Sequence, residues 1–71
     1  MREYAVVYER TENNWAAYSP DVPGCIATGM TRQEVELSFR EALASHLELM
    51  KEHGLVIPEP TTEVGHVRVA A

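Results

Sequence analysis

The stretch PDVPGCIATGMTRQE, residues 20–34, contains the passage from loop to strand to helix on which the fold prediction rests. Proline has no backbone N–H and cannot donate a hydrogen bond to a β-ladder. Pro20 and Pro23 therefore predict a shaped loop over residues 20–24 rather than a central strand. The run that follows, Cys25 to Gly29, predicts a short third strand.

The end of this stretch predicts the start of a long helix. Thr31 and Glu34 are spaced as in a capping box, in which the hydroxyl accepts the amide of residue 34 and the carboxylate reaches back. No glycine or proline follows until Gly54, a residue type that favours the position just past a helix end. The helix is predicted over about residues 32–53, and its last turns, around His46 to His53, are expected to extend beyond the sheet. A stripe recurs along it at spacings of three and four, formed by Val35, Phe39, Ala42, His46, Leu49 and His53, with Leu43, Leu47 and Met50 beside it.

Further strands are predicted on both sides of this region. Residues Glu3 to Arg10 and Trp15 to Ser19 carry β-forming side chains on either side of a polar turn, which predicts a hairpin. After the helix, the proline-punctuated residues 55–60 are expected to cross back, and Val64 to Ala70 to form a fourth strand. The predicted order is β-β-β-α-β. This is an α+β fold with a four-stranded, mostly antiparallel sheet in strand order 3-2-1-4 and one long helix on one face.

Such a sheet has one face that a single helix cannot cover. The first strand carries apolar side chains on both of its faces, with Ala5 and Val7 on one side and Tyr4, Val6 and Tyr8 on the other. Either the uncovered side tolerates water or another chain covers it. A 71-residue chain has a small core, and its single cysteine, Cys25, excludes an internal disulfide and a cysteine-based zinc site. The sequence therefore favours a homo-oligomer.

Charge restricts the classes of partner. Eleven acidic and six basic residues give a formal net charge of −5. A protein that holds nucleic acid unaided normally presents a basic stripe, so direct DNA or RNA binding is disfavoured and a basic protein partner is favoured. No apolar run approaches the ~20 residues of a membrane span, and the N-terminus lacks the apolar core of a signal peptide. The expected location is cytoplasmic, without membrane association.

The pattern of motifs resembles the HicB family. The resemblance is carried by residues 20–34, by Glu41-Ala42-Leu43 and by Ile57-Pro58-Glu59-Pro60, and Tyr4 and Trp15-Ala16-Ala17 also fit. It covers nearly the whole chain in order and spacing. The resemblance implies the antitoxin of a type II toxin–antitoxin pair, whose toxin, HicA, is a small, basic, RNA-cleaving protein. It also implies a partly degraded RNase H-like β-β-β-α-β fold.

Two features depart from the family pattern. Met30 stands where the family usually has an acid before the capping threonine. Full-length HicB antitoxins continue into a C-terminal DNA-binding domain, whereas residues 1–71 are expected to form a single HicB-like domain without one. Operator binding is therefore not implied. What the resemblance implies is the toxin-neutralising domain, or a stand-alone relative with another role.

No catalytic or metal-binding site is predicted. RNase H chemistry needs carboxylates that converge on two metal ions, but the middle of the first strand is Val6-Val7 and the fourth strand has no acid after Glu63. His46 and His53 are seven residues apart, whereas zinc favours pairs four apart, so they would need a third ligand such as His66. The chain is expected to be non-enzymatic, with no cofactor and no metal.

Five residues are candidates for contact with a partner: Trp15, Asp21, Glu41, Glu48 and Met50. Structural alternatives stay open, since Trp15 suits the core equally well, Asp21 can fix its own loop and helical acids commonly form a solvated face. A second set is expected to shape the loops and helix caps: Pro20, Pro23, Gly24, Gly29, Thr31, Glu34, Gly54 and Pro58.

Two functional hypotheses follow. The favoured one is a non-catalytic, antitoxin-like protein-binding module that neutralises a HicA-type RNA-cleaving toxin by steric and electrostatic occlusion. The alternative is a stand-alone homo-oligomer with a structural, regulatory or small-ligand role and no toxin partner. Co-purification with a small basic protein would separate the two.

Overall fold

Three strands and one helix make up the fold. The computed structural model describes all 71 residues and contains β1 (Val7–Arg10), β2 (Trp15–Ser19), β3 (Val22–Gly29) and α1 (Arg32–Glu52). The strands form one antiparallel sheet in the order β1-β2-β3. Because α1 lies over β2 and β3, the sheet has one covered face and one open face.

The turn between β1 and β2 is held by the side chain of Thr11. Its hydroxyl donates to Asn14 Oδ1 at 2.6 Å and accepts the backbone amides of Asn13 and Asn14 at 3.3 and 3.0 Å. The Thr11 amide also donates to the Asn14 carbonyl at 2.8 Å. This local network closes the hairpin and sets the register in which Arg10 lies opposite Trp15.

The third strand is longer than predicted. It begins at Val22 and includes Pro23 and Gly24, so the loop expected over residues 20–24 is reduced to a tight turn. The register between β2 and β3 shifts at Tyr18 and Ser19, and Gly24 has φ +88°. A strand at the edge of a sheet tolerates proline and a bulge because its outer amides need no ladder partner.

The helix α1 agrees closely with the prediction. Thr31 is its N-cap, with Oγ1 accepting the Glu34 amide at 3.0 Å, and Glu34 Oε2 accepts the Met30 amide at 3.1 Å. At the other end Gly54 has φ +70°, and the Leu55 amide donates to the Met50 carbonyl at 2.8 Å. Side-chain and glycine caps therefore satisfy backbone groups that the helix ends leave free.

The core lies between α1 and the sheet. Its buried apolar residues are Ala17, Val22, Cys25, Val35 and Phe39. Half-buried side chains pack around them: Tyr4, Val6, Tyr8, Trp15, Ala27, Ala42, Leu43 and Leu47. Since Leu47 is the last residue of α1 that packs against this cluster, the final turns extend beyond it, as the sequence predicted.

The predicted fourth strand is absent, so the four-stranded sheet in strand order 3-2-1-4 is wrong. Residues 55–71 pair with no strand, and β1 starts at Val7 rather than Glu3. The sheet has three strands, in a β-β-β-α fold that is still of the α+β class. High β-propensity over Val64 to Ala70 is not sufficient, because a strand forms only against a partner edge.

Side-chain hydrogen bonds determine where the chain runs after the helix. Tyr4 Oη donates to the Pro58 carbonyl at 2.6 Å and Arg2 Nη1 to the same oxygen at 2.9 Å. Thr61 and Thr62 then bond the carboxylate of Asp21, in the turn between β2 and β3. The chain after α1 is thus drawn across the end of the sheet instead of along the outer edge of β1.

The open face of the sheet carries a row of apolar side chains. Val7 lies opposite Tyr18, and Tyr18 lies opposite Ile26. The neighbouring residues Ala17 and Cys25 are buried against α1, and side chains alternate between the faces of a strand, so this row faces away from the core. Ile26 is 64% exposed.

Candidate partner-binding surface

The outer side of α1 carries a line of three carboxylates. Glu41, Glu48 and Glu52 are exposed, and at 3.6 residues per turn they fall within roughly 40° of one another around the helix axis. At 1.5 Å per residue they extend over about 16 Å. We call the exposed residues on and beside this line the acidic helix face: Leu37, Glu41, Ser45, Glu48, Leu49 and Glu52.

These three carboxylates are not neutralised within the chain, whereas the acids earlier in the helix are engaged. Glu36 Oε1 accepts from Arg32 Nη1 at 2.7 Å, and its Oε2 lies 3.4 Å from Arg40 Nη2. The hydrogen bond from Arg32 is the main reason that the pKa of Glu36 is lowered. Glu41, Glu48 and Glu52 make no ion pair. The outer face of α1 therefore presents three carboxylates that are free to pair with a partner.

Two leucines accompany the carboxylates. Leu37 and Leu49 are each 55% exposed. Leu49 lies in a shallow, open hollow with Ala44, Ser45 and Glu48. An arrangement of apolar anchors beside unpaired charge suits protein recognition, because charges speed association and desolvated apolar side chains hold the complex.

On the opposite flank of α1, the charged side chains interact with other residues of the same chain. The guanidinium carbon of Arg32 lies 3.4 Å from the centroid of the Tyr8 ring, a cation–π contact, while the same side chain bonds Glu36. This contact ties the first turn of α1 to β1. Arg32 is used in this way and Arg40 also faces Glu36, so both arginines of the helix are turned toward Glu36 and not toward the acidic helix face.

The five predicted partner residues do not form one surface. Glu41 and Glu48 lie together on the acidic helix face, two turns apart. Met50 is half-buried on the other side of α1. Trp15 is half-buried at the start of β2, opposite Gly29, and packs against the core.

Asp21 is engaged inside the chain. Oδ2 accepts the amides of Thr61 and Thr62 at 3.2 and 3.1 Å, and Oδ1 accepts their hydroxyls at 3.1 and 2.8 Å. The backbone hydrogen bond from Thr62 is the largest cause that lowers the pKa of Asp21. Its carboxylate therefore joins the turn after β2 to a segment forty residues further along the chain.

Sequence reasoning missed the two leucines of the acidic helix face. Leu49 belongs to the predicted stripe at spacings of three and four, but α1 extends past the buried cluster at that point and this side chain stays 55% exposed. Leu37 lies about 200° around the helix from Val35, as 3.6-residue periodicity requires. An apolar residue on the polar side of a helix was the signal that could have found it.

Other chemically active side chains are dispersed. Burial raises the pKa of the Cys25 thiol, which lies in the core. No three histidine, cysteine, aspartate or glutamate side chains are grouped closely enough to hold a metal ion. The single helix is too polar to cross a membrane.

A family model and one of the similar proteins point to the same family. A family model described as the HicB-like antitoxin of bacterial toxin–antitoxin systems matches residues 4–69. Antitoxin HicB 2 of Photorhabdus laumondii is 33% identical over 60 residues, which cover 84% of this chain and 43% of that protein. No solved structure gives a significant match.

Two further relatives differ in length. The UPF0150 protein Ta0767 of Thermoplasma acidophilum is 29% identical over 62 residues, covering 86% of this chain and 90% of that protein. An uncharacterized 14.9 kDa protein from the rep-hol intergenic region of Haemophilus phage HP1 is 34% identical over 56 residues, covering 79% of this chain and 42% of that protein. The chain thus spans most of one relative and less than half of the phage and Photorhabdus proteins.

Proposed function

The chain belongs to the HicB-like antitoxin family of bacterial toxin–antitoxin systems, and from this membership we propose that its residues form a non-catalytic module that neutralises a small, basic, HicA-like RNA-cleaving toxin by occlusion. The observation that carries the proposal is the line of three unpaired carboxylates on the acidic helix face. The proposal concerns the part that this chain shares with the longer Photorhabdus antitoxin, since 43% of that protein is covered.

Charge supports a basic partner. The formal net charge is −5, and the carboxylates of Glu41, Glu48 and Glu52 make no ion pair with a cation of their own chain. A toxin that binds RNA needs a basic surface to attract phosphates. An acidic surface placed over those basic residues both raises the association rate and excludes the RNA.

Apolar contacts are expected to slow the dissociation of the complex. Charge pairs at the rim of an interface change the association rate more than the dissociation rate, whereas buried apolar anchors dominate the affinity. Leu37 and Leu49 lie on either side of the carboxylate line and are half exposed. We infer that they are the anchors and that the carboxylates orient the toxin over them.

The decisive experiment is a stoichiometric inhibition assay with a basic RNA-cleaving protein encoded beside this chain. Equimolar chain is expected to abolish RNA cleavage and to form a complex of defined mass. Glu41→Lys combined with Glu48→Lys is expected to weaken the complex at least tenfold. Glu12→Lys, at an exposed acid of the β1–β2 turn, changes the net charge per site equally and is the matched control.

Two outcomes would count against this function. If RNA cleavage is undiminished and no complex forms, the chain does not neutralise that protein and the proposal is wrong. Equal weakening by Glu12→Lys would show that only the net charge matters and not the acidic helix face. Circular dichroism of each variant establishes that the helix content is retained.

The second candidate function is a homo-oligomer without a toxin. The apolar row Val7, Tyr18 and Ile26 on the open face favours it, because an apolar strip on a sheet marks a surface that a further chain can cover. Tyr18→Ser with Ile26→Thr is expected to lower the oligomer mass if this face is the interface. Mass measurement by light scattering, with and without the candidate toxin, separates this function from toxin binding.

A further inference from the structure

The end of the chain pairs with no strand of the sheet. We call residues 64–71 the arm. Its valines are strongly exposed, Val67 at 87% and Val69 at 73%, and none of its backbone groups takes part in a hydrogen bond of the chain. Its residue types nevertheless favour a strand, with valines at positions 64, 67 and 69. Exposed apolar side chains and unpaired amides together indicate a segment that lacks its partner.

The outer edge of β1 also lacks a hydrogen-bonding partner. β1 pairs only with β2, so the outer amides and carbonyls of Val7–Arg10 have no ladder partner. Because α1 lies over β2 and β3, a groove remains between β1 and the helix. Its apolar lining is Tyr4, Val6, Tyr8, Phe39 and Leu43. An open edge beside an apolar groove is the geometry at which an extended segment adds to a sheet.

The other edge of the sheet is protected. β3 contains Pro23, which has no amide to donate, and Gly24, whose φ of +88° breaks the regular ladder. Prolines and bulges are the devices by which proteins keep an edge from pairing. The edge of β1 carries neither interruption.

The arm does not reach this edge in its own chain. Thr61 and Thr62 are held by four hydrogen bonds to Asp21, in the turn between β2 and β3. β1 lies on the opposite side of β2 from β3. Pro58 and Pro60 stiffen the segment that leads into this contact. The arm consequently leaves the body away from β1.

We propose that two copies of this chain exchange their arms, so that residues 64–70 of each copy add to the outer edge of β1 in the other. Side chains of a strand alternate between its faces, so Val67 and Val69 share the side that enters the groove and Arg68 takes the opposite side. Reciprocal exchange of one element is a low-cost route to a symmetric dimer. This inference goes beyond toxin binding and does not depend on it.

Charge favours the exchange. All eleven acidic residues precede Val64, and the only charged side chain of the arm is Arg68. Two copies with a net charge of −5 repel each other as whole bodies. Because Arg68 is positively charged, a second copy with its negative net charge attracts the arm. The arm is therefore a suitable point of contact.

The first test measures the mass of the full chain by light scattering over micromolar concentrations. Wild type is expected at twice the mass of one chain, and Val67→Asp with Val69→Asp at the mass of one chain. Val56→Asp is the matched control, because Val56 is 87% exposed like Val67 but lies outside the arm. A single-chain mass for wild type, or a double mass that survives the arm variant, would overturn the proposal.

The second test asks whether the arm of one chain contacts β1 of another. One variant carries Glu9→Cys in β1 and the other Arg68→Cys in the arm, both with Cys25→Ala. A short bismaleimide is expected to join the mixed chains, while a variant with Val56→Cys in place of the arm cysteine is not joined. Absence of the mixed product, or equal yield with the Val56 variant, would contradict exchange. Toxin inhibition is a separate readout, so its failure leaves this result interpretable.

Discussion

A Cβ atom at Gly29 would lie 2.8 Å from the backbone nitrogen of Val35. Gly29 ends β3 and Val35 is fully buried in the first turns of α1, so the strand end and the helix start are in backbone contact. A real Cβ cannot occupy that distance unless the helix moves. The glycine is therefore a packing requirement at the junction of sheet and helix.

Gly29→Ala is expected to destabilise the fold by about 1–3 kcal/mol, the usual cost of inserting an atom into a packed site. The measurement is chemical denaturation followed by circular dichroism. Gly65→Ala is the control, because nothing lies within 4 Å of a Cβ at that position. A loss at Gly29 no larger than that at Gly65 would show that the helix can shift without cost.

Thr31→Ala is expected to cost about 1 kcal/mol of unfolding free energy, because the Glu34 amide loses the acceptor that caps it at 3.0 Å. Thr31→Ser keeps a hydroxyl at the same place and should retain most of the stability. The comparison of the two variants by urea denaturation isolates the hydrogen bond from the loss of side-chain bulk. Equal stability of alanine and serine variants would contradict a capping role.

Ser19→Ala is expected to leave stability unchanged or to raise it by about 1 kcal/mol. Ser19 is 3% exposed and its hydroxyl has no hydrogen-bond partner. A buried hydroxyl without a partner carries a desolvation cost that the methyl group removes. A thermal melt that shows a clear loss would reveal a hydrogen bond that the hydroxyl makes in solution.

The contact between Asp21 and the two threonines is expected to depend on acid pH. Hydrogen bonds lower the pKa of Asp21 below its ordinary value of 3.8 in the folded chain. The stabilisation is therefore fully present above that ordinary value and is lost as the pH falls through the lower folded-state pKa.

The amide resonances of Thr61 and Thr62, followed by NMR during an acid titration, measure this pKa directly. We expect them to shift with a midpoint below 3.8. Asp21→Asn removes the carboxylate and should abolish this step while other acids still titrate. A midpoint at or above the ordinary value would contradict the hydrogen bonds described.

Association with a basic toxin is expected to slow as salt rises. At 0.15 M ionic strength charges are screened over about 8 Å, so the attraction between the acidic helix face and the toxin weakens before contact. Glu41→Gln with Glu48→Gln should flatten this salt dependence, and Leu49→Ala should raise the dissociation rate instead. Stopped-flow or surface-based kinetics at several salt concentrations would measure both rates.

The helix was predictable because its signals are local. The capping pair Thr31 and Glu34 and the closing glycine lie within a few residues of the backbone groups they serve, and the observed bounds, Arg32–Glu52, nearly equal the predicted ones. At 3.6 residues per turn, Glu41 and Glu48 share a face of this helix. Periodicity alone groups Leu49 with Val35 and Phe39, and its exposure follows from the extension of the last turns beyond the sheet, which the length of the helix predicted.

The fold brings together only two of the five predicted partner residues, Glu41 and Glu48, because sequence patterns describe neighbours along the chain and not distant contacts. Trp15, Asp21 and Met50 were chosen by residue type, and the fold places them in three separate locations. Asp21 illustrates the difficulty, since its partners Thr61 and Thr62 are forty residues away. No pattern within the turn points to them.

By itself, the amino-acid sequence determined the elements that depend on neighbours along the chain: the hairpin, the cap, the helix and the acidic side of that helix. Only the tertiary structure decided which edge stays open and where the chain after the helix runs. A helix satisfies its hydrogen bonds internally, whereas a strand needs an edge brought to it by distant contacts. Residues 64–70 have the composition of a strand, but the hydrogen bonds at Asp21 lead them away from the edge of β1.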